Sequence, residues 1–297
     1  MPNLKRALKI SAVLLFVFVS LPLCGRGMST EFFRDNVQAL CSPGFGGRVS
    51  GESSFIHTIA LVKGHFEKAG LQPWGGTWTH SFECPDGRRG RNVVGFIPGT
   101  SGKWIVVGAY CDGLGVLEGR LYPGADSNAS GVAALLALAY NAPRTPRDGI
   151  IFVAFDGHGA DYAGARALLA ELGRKKIRLM VNLDTMGSTL SPVEYKYRRY
   201  MIALGGEKYS KALSSCASLG RIKLYYDYYR SDRFTRLFYR KIGEQKVFLE
   251  AGVPAVLFTS GITLHTNKNT DTPETLDYEV LRARVLCISR WLLLISS

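Results

Sequence analysis

The 297-residue chain is poor in long hydrophobic runs: there is one, residues 10–23, at the extreme N-terminus. A polytopic membrane protein is excluded on that ground. Cysteine is scarce, six in all and never closely spaced, which argues against a small disulfide scaffold. Low-complexity tracts and internal repeats are missing too, so nothing marks a linker or a repeat array. Acid is under-represented: 24 Asp and Glu face 37 Lys and Arg, a formal charge of +13. Such a balance favours acidic partners but says nothing about fold. What remains is an ordinary globular composition, 46% hydrophobic, 21% charged and 11% aromatic. Disordered and collagen-like chains do not have it.

The N-terminus has the pattern of an export signal. Lys5, Arg6 and Lys9 form a basic region ahead of the fourteen apolar-rich residues 10–23, too few to span a bilayer comfortably. The expected division is a signal at residues 1–27, cleaved near Cys24 to Gly27, and one domain at 28–297. The expected location is the periplasm, the cell envelope or the exterior, with no stable membrane span after cleavage. An uncleaved anchor is the alternative. Lipidation at Cys24 is left open, although Leu23 is larger than the residue such sites prefer. Cys41, Cys84, Cys111, Cys216 and Cys287 then remain, and one or two disulfides among them stay open in an oxidising compartment.

Beyond the signal, hydrophobic patterning alternates between two periods. Residues 53–69, 162–172, 207–219 and 278–295 read as helices. Asn128 or Ser130 is placed to cap another that stops before Pro143. Residues 92–97, 104–109, 150–155, 179–183 and 255–259 read as short strands, several apolar throughout and so buried on both faces. Strands alternating with helices imply an α/β three-layer sandwich with a mostly parallel central sheet. In such sheets chemistry collects at the carboxyl ends of the strands. That directs attention to the segments after Ala109, Phe155, Leu183 and Thr259.

Those segments read Tyr110-Cys111-Asp112, Asp156-Gly157-His158-Gly159, Asp184, and Leu264-His265-Thr266, with Tyr122-Pro123-Gly124-Ala125-Asp126-Ser127-Asn128-Ala129-Ser130-Gly131 between the first two. Gly46-Gly47-Arg48 and Gly70-Leu71-Gln72-Pro73 precede them, and Ala251-Gly252-Val253-Pro254 and Asp271-Thr272-Pro273 complete the series. In this order the series resembles metallopeptidase family twenty-eight, the dizinc aminopeptidases and their glutaminyl cyclase relatives. The resemblance implies a zinc-exopeptidase-like fold over nearly the whole chain after residue 27. It also implies a chemistry: two zinc ions share a bridging carboxylate, and a glutamate deprotonates the water between them.

Carried over position by position, that pattern is broken here. Tyr110 stands where the family has a His ligand, while Asp112 keeps the place of its supporting carboxylate. Ser127 replaces the bridging Asp, although Asp126 is kept. His158 and Gly159 replace the Glu-Glu pair of base and ligand. Gly243-Glu244-Gln245 occupies the place of a His-containing segment. Asp184 and His265 match ligands, but of different metals. Two remnant ligands at separate subsites do not provide the three or four donors that zinc uses.

The leading expectation is therefore an exported family member that has lost metal-dependent catalysis, holds no cofactor, and keeps a binding or scaffolding role for a peptide or protein ligand. Its pocket candidates are Tyr110, Asp112, Asp126, Ser127 and His158. The first alternative is an active zinc aminopeptidase, with zinc as cofactor. The second is a metal-free hydrolase using Ser127 and His158 with Asp126 or Asp184. Whether the chain is an enzyme stays open. Plainer readings stand beside these: His158 as a hydrogen-bonded loop residue, Cys111 as a small buried hydrophobe, and the Asn128-Ala129-Ser130 sequon as a coincidence of the motif. Residues 221–246 hold eight Lys or Arg, three acids and seven aromatics. They read either as an amphipathic packing element or as a grip for an acidic partner. No nucleic-acid motif accompanies the charges, so nucleic acid is not an expected partner.

Overall fold

The structure, a computed structural model, describes residues 26–189, 197–228 and 230–297. Of the expected export signal at residues 1–27, residues 1–25 lie outside the described residues. Helices α1 (Thr30–Cys41) and α2 (Phe55–Lys68) come first, followed by strands β1 (Gln72–Pro73), β2 (Thr79–Glu83), β3 (Arg89–Ile97) and β4 (Trp104–Tyr110). A small hairpin, β5 (Gly115–Leu117) and β6 (Arg120–Tyr122), precedes α3 (Ser130–Tyr140). Next are β7 (Gly149–Phe155), α4 (Ala163–Leu172), β8 (Ile177–Leu183) and β9 (Tyr200–Leu204). The chain then runs through α5 (Ser210–Gly220), β10 (Lys223–Tyr225), α6 (Asp232–Arg240), α7 (Gln245–Glu250), β11 (Ala255–Thr259) and α8 (Tyr278–Ser296).

Nine strands form one sheet in the order β1-β3-β7-β4-β8-β11-β9-β10, with β2 paired to β3. The four central strands, β7, β4, β8 and β11, run parallel, and antiparallel pairings begin outside them at β3 and β9. Parallel strands need covering on both faces. The sequence meets that need by strict alternation. Ile105, Val107 and Ala109 of β4 face one hydrophobic layer, with α1, α2, α3, α5 and α8, while Val106 and Tyr110 face the other, with α4 and α7. Gly108 sits between these last two because a Cβ there would lie 2.2 Å from the Phe155 ring. The result is a three-layer α/β sandwich.

The expected helices and strands are present, with ends that coincide or shift by up to three residues. Neither Asn128 nor Ser130 caps α3, whose N-cap is Ala129 without a side-chain bond. Both side chains are engaged at the strand ends instead. Besides the short strands β1, β2, β5 and β6, five further elements fall where none was expected. Helix α1 is started by Ser29, whose Oγ accepts from Phe32 N, and it buries Phe33, Val37 and Leu40. Strand β9 is wholly buried, and β10, α6 and α7 arise from the basic, aromatic segment. The five cysteines among the described residues are all buried and unpaired, so none of the disulfides left open forms. No helix of the described residues is long and apolar enough to cross a membrane.

Candidate functional site

Because β7, β4, β8 and β11 are parallel, their carboxyl ends share one edge of the sheet. A cavity of about 360 Å³ opens there. Tyr110 ends β4, His158 follows β7, Asp184 follows β8, and Ser127 comes from the turn before α3; all four line the cavity. Tyr228, Phe238, Ile242, Leu257 and Ile262 give the lining its apolar surface, and threonines such as Thr185 and Thr259 add hydroxyls.

The turn at residues 124–131 is held by bonds to backbone. Asp271 accepts the amide hydrogens of Asp126 (2.8 Å) and Ser127 (3.0 Å). Asn128 donates to the carbonyls of Tyr110 and Leu183 and accepts from Thr185 N, tying the ends of β4 and β8 together. Its side chain is buried and spent on these bonds, which removes the sequon as a glycosylation site. Asp126 turns away from the cavity: its Oδ1 accepts from Ser130 Oγ (2.9 Å) and Gly187 N (2.7 Å). Arg48, fully buried, donates to the carbonyls of Leu40, Cys111, Pro123 and Gly124. Gly124 has φ 59°, and a Cβ there would meet Ser127 O at 2.5 Å. The peptide between Ser127 and Asn128 is cis.

The facing wall is different in kind. The His158 ring lies flat on the Tyr110 ring, with centroids 3.8 Å apart and planes 20° from parallel. Its Nδ1 bonds Glu244 Oε1 at 2.7 Å, and Tyr162 abuts it edge-on. Glu244 is buried, and its Oε2 has no hydrogen-bond partner among the described residues. Gln245 beside it is latched by Asn182 and by the carbonyls of Phe238 and Tyr239. Burial alone would lower the His158 pKa, but the Glu244 charge and hydrogen bond, with Asp112 and Asp184, raise it to about 9. His158 is thus an imidazolium at neutral pH. Burial raises Asp112 and Asp184 to about 7, against the pull of His158, and burial holds the Tyr110 hydroxyl well above its ordinary value.

Three expected residues are not at the cavity surface. Asp112 lies behind the wall, accepting from His158 N, and Asp126 is turned inward as described. His265 bonds Thr270 Oγ1 at 3.0 Å within its own turn. No hydrogen bond joins Ser127 Oγ to His158, and a protonated imidazole cannot take a serine proton. Reading the sequence alone missed Glu244 as the partner of His158, and it missed Tyr228, Phe238 and Ile242 as cavity wall. The available signal was the acid in Gly243-Glu244-Gln245, directly before an apolar run.

The family model for peptidase family M28 matches residues 92–291. The chain belongs to that family. Solved structures of the same fold include the LapA aminopeptidase of Legionella pneumophila (16% identity over 91% of this chain and 71% of that one, TM-score 0.69). A glutaminyl cyclase of Fimbriiglobus ruber is similar too (17%, 91% and 97%, TM-score 0.69). So is BSAP, a zinc aminopeptidase of Bacillus subtilis (11%, 89% and 94%, TM-score 0.64). At these identities the likeness concerns the fold.

The family implies zinc, and the donor set here does not fit it. No three His, Cys, Asp or Glu side chains converge on a metal position among the described residues. Of the four residues named on the cavity wall, Ser127 and Tyr110 offer only hydroxyls, and His158, with its Nδ1 on Glu244, offers one ring nitrogen. Asp184 remains as a single carboxylate.

Proposed function

We propose that the protein is an M28-family member that has given up the paired zinc ions and uses its cavity to bind a peptide or protein ligand. The observation that carries this reading is that no three His, Cys, Asp or Glu side chains converge on one metal position among the described residues. His158, where the family pattern has the Glu base, is stacked on Tyr110 with its Nδ1 engaged by Glu244. His158 Nε2 and the Asp184 carboxylate are two donors, too few to close a zinc shell. Without a metal-bound water, a general base has nothing suitable to deprotonate, and the base position is itself changed. A cavity with both apolar and polar lining suits an amphipathic peptide end. Export rests on the basic region and apolar run at residues 5–23, and intact-mass measurement of the native protein tests it.

The deciding experiment is elemental analysis of protein purified without chelator, followed by a zinc titration of thermal stability and assay on aminoacyl chromogenic substrates. The expected result is no stoichiometric zinc, no shift in melting temperature and no turnover, since a tight native-state ligand would raise stability by mass action. Tightly held zinc with turnover that chelation abolishes would sink the reading and restore the active aminopeptidase.

A further inference from the structure

A second concavity, of about 470 Å³, lies where the end of α5 meets α8, and it shares no lining residue with the cavity. Arg282, Leu286 and Arg290 rise along one stripe of α8, four residues apart. Arg199, just before β9, and Arg221, just after α5, face them across the groove. Four guanidinium groups therefore share one concave surface with a single acid, Glu279.

The pairing within the groove is incomplete. Arg282 donates to Met28 O and lies 3.9 Å from Glu279, and Arg199 donates to Gly220 O. Arg221 and Arg290 have no hydrogen bond or ion pair through their side chains among the described residues. Like charges gathered in a concavity repel one another and focus a positive potential on its mouth. Arg221 adds an independent point. Its φ is 52°, a left-handed backbone at a helix stop where Gly or Asn is usual. The backbone does not favour Arg there, so the observation directs attention to its side chain.

We propose that this groove binds a phosphoryl group. Guanidinium forks match phosphate oxygens two at a time, and a phosphoryl group offers three acceptor oxygens with up to two negative charges. A carboxylate offers one charge and two oxygens, too little to engage Arg221 and Arg290 together with their two half-paired neighbours. The apolar surface of Leu219 and Leu286 on the same groove accommodates the carbon skeleton that carries the phosphoryl group. The same chemistry occurs in free phosphate and in the phosphomonoester headgroup of phosphatidic acid. This site is independent of whatever fills the cavity.

The test titrates the full chain at fixed ionic strength with inorganic phosphate, and separately with phosphatidic acid vesicles diluted in phosphatidylcholine. The variant is Arg221→Asn with Arg290→Gln, since Asn tolerates the left-handed backbone and neither side chain holds the fold. The control, Arg233→Gln with Arg236→Gln, removes the same charge from α6. Saturable binding that the groove variant weakens about tenfold or more, and the control leaves alone, is the expected result. Binding of phosphate identifies a soluble phosphoryl ligand, and binding of vesicles alone identifies a headgroup. If the double variant melts early, Arg290→Gln by itself carries the test. Equal weakening in both variants, or no binding of either probe, overturns the proposal.

Discussion

The turn at residues 124–131 and the wall of Tyr110, His158 and Glu244 face the same cavity but are bonded in opposite ways. In the turn, Arg48, Asn128, Ser130 and Asp271 direct their polar atoms mainly at backbone. In the wall, the side chains chiefly engage one another. A side chain that bonds backbone is required by the path of the chain, whatever occupies the cavity. A set that bonds itself can be exchanged as a set, leaving the chain path intact. The contrast explains how the fold of a metallopeptidase family persists around a wall that offers a metal little.

Substitutions can break that contrast, and the largest effect belongs on the turn side. Arg48→Met leaves four carbonyls without their donor and should cost about 4 kcal/mol or more in urea unfolding. A loss below about 1 kcal/mol would mean the turn does not depend on it. On the wall, Glu244→Gln keeps the shape and removes the charge. With His158 partly exposed, a loss of about 2 kcal/mol is expected, less than for a fully buried pair. The His158 pKa, followed by NMR, should fall from about 9, because the Glu244 charge is the largest influence raising it, and burial is then opposed only by Asp112 and Asp184.

A smaller effect follows from pH. His158 is raised above its unfolded value, so its stabilisation is complete below about pH 6.5 and is lost as pH rises through about 9. Asp112 and Asp184, raised by burial from 3.8 to about 7, also favour the protonated folded state and weaken it as pH climbs through that range. All three act in one direction, the two carboxyls between about pH 4 and 7 and His158 between about pH 6.5 and 9, so the melting temperature should fall across that span. Glu244→Gln should flatten the alkaline half of that fall; an unchanged profile would show that other groups set it. Smallest of all is Tyr110→Phe. Its hydroxyl makes no hydrogen bond among the described residues, so the stack survives and stability should change by less than about 1 kcal/mol. A larger loss would reveal a role for the hydroxyl.

The layered fold was legible because buried parallel strands are apolar throughout and their helices carry a plain 3.6-residue stripe. The turn at 124–131 was located by its Gly, Asp and Asn lying close together in sequence, although Asn128 and Ser130 do not cap α3 and Asp126 turns inward. Legibility failed where function depends on long-range pairing. His158 and Glu244 are separated by 86 residues, and no local pattern joins them. The basic segment concealed α6, whose Phe238 joins the cavity wall while Phe234 and Leu237 remain exposed among arginines. His265 was expected as a remnant ligand from its motif, and its bond to Thr270, five residues on, was not foreseen.

The unpaired cysteines give the molecule a set of internal reporters. Burial raises every one of their pKa values, Cys41 to about 11 and Cys287 to about 12, and alkylating reagents attack only thiolates that they can reach. In the folded chain these thiols are therefore silent, and each adduct formed under a brief pulse of iodoacetamide records an opening at a known place. Cys41 reports the end of α1, Cys84 the turn after β2, Cys111 the strand end beneath the cavity, and Cys216 and Cys287 the packing of α5 on α8. Mass spectrometry of the labelled peptides would rank these regions by how often they open.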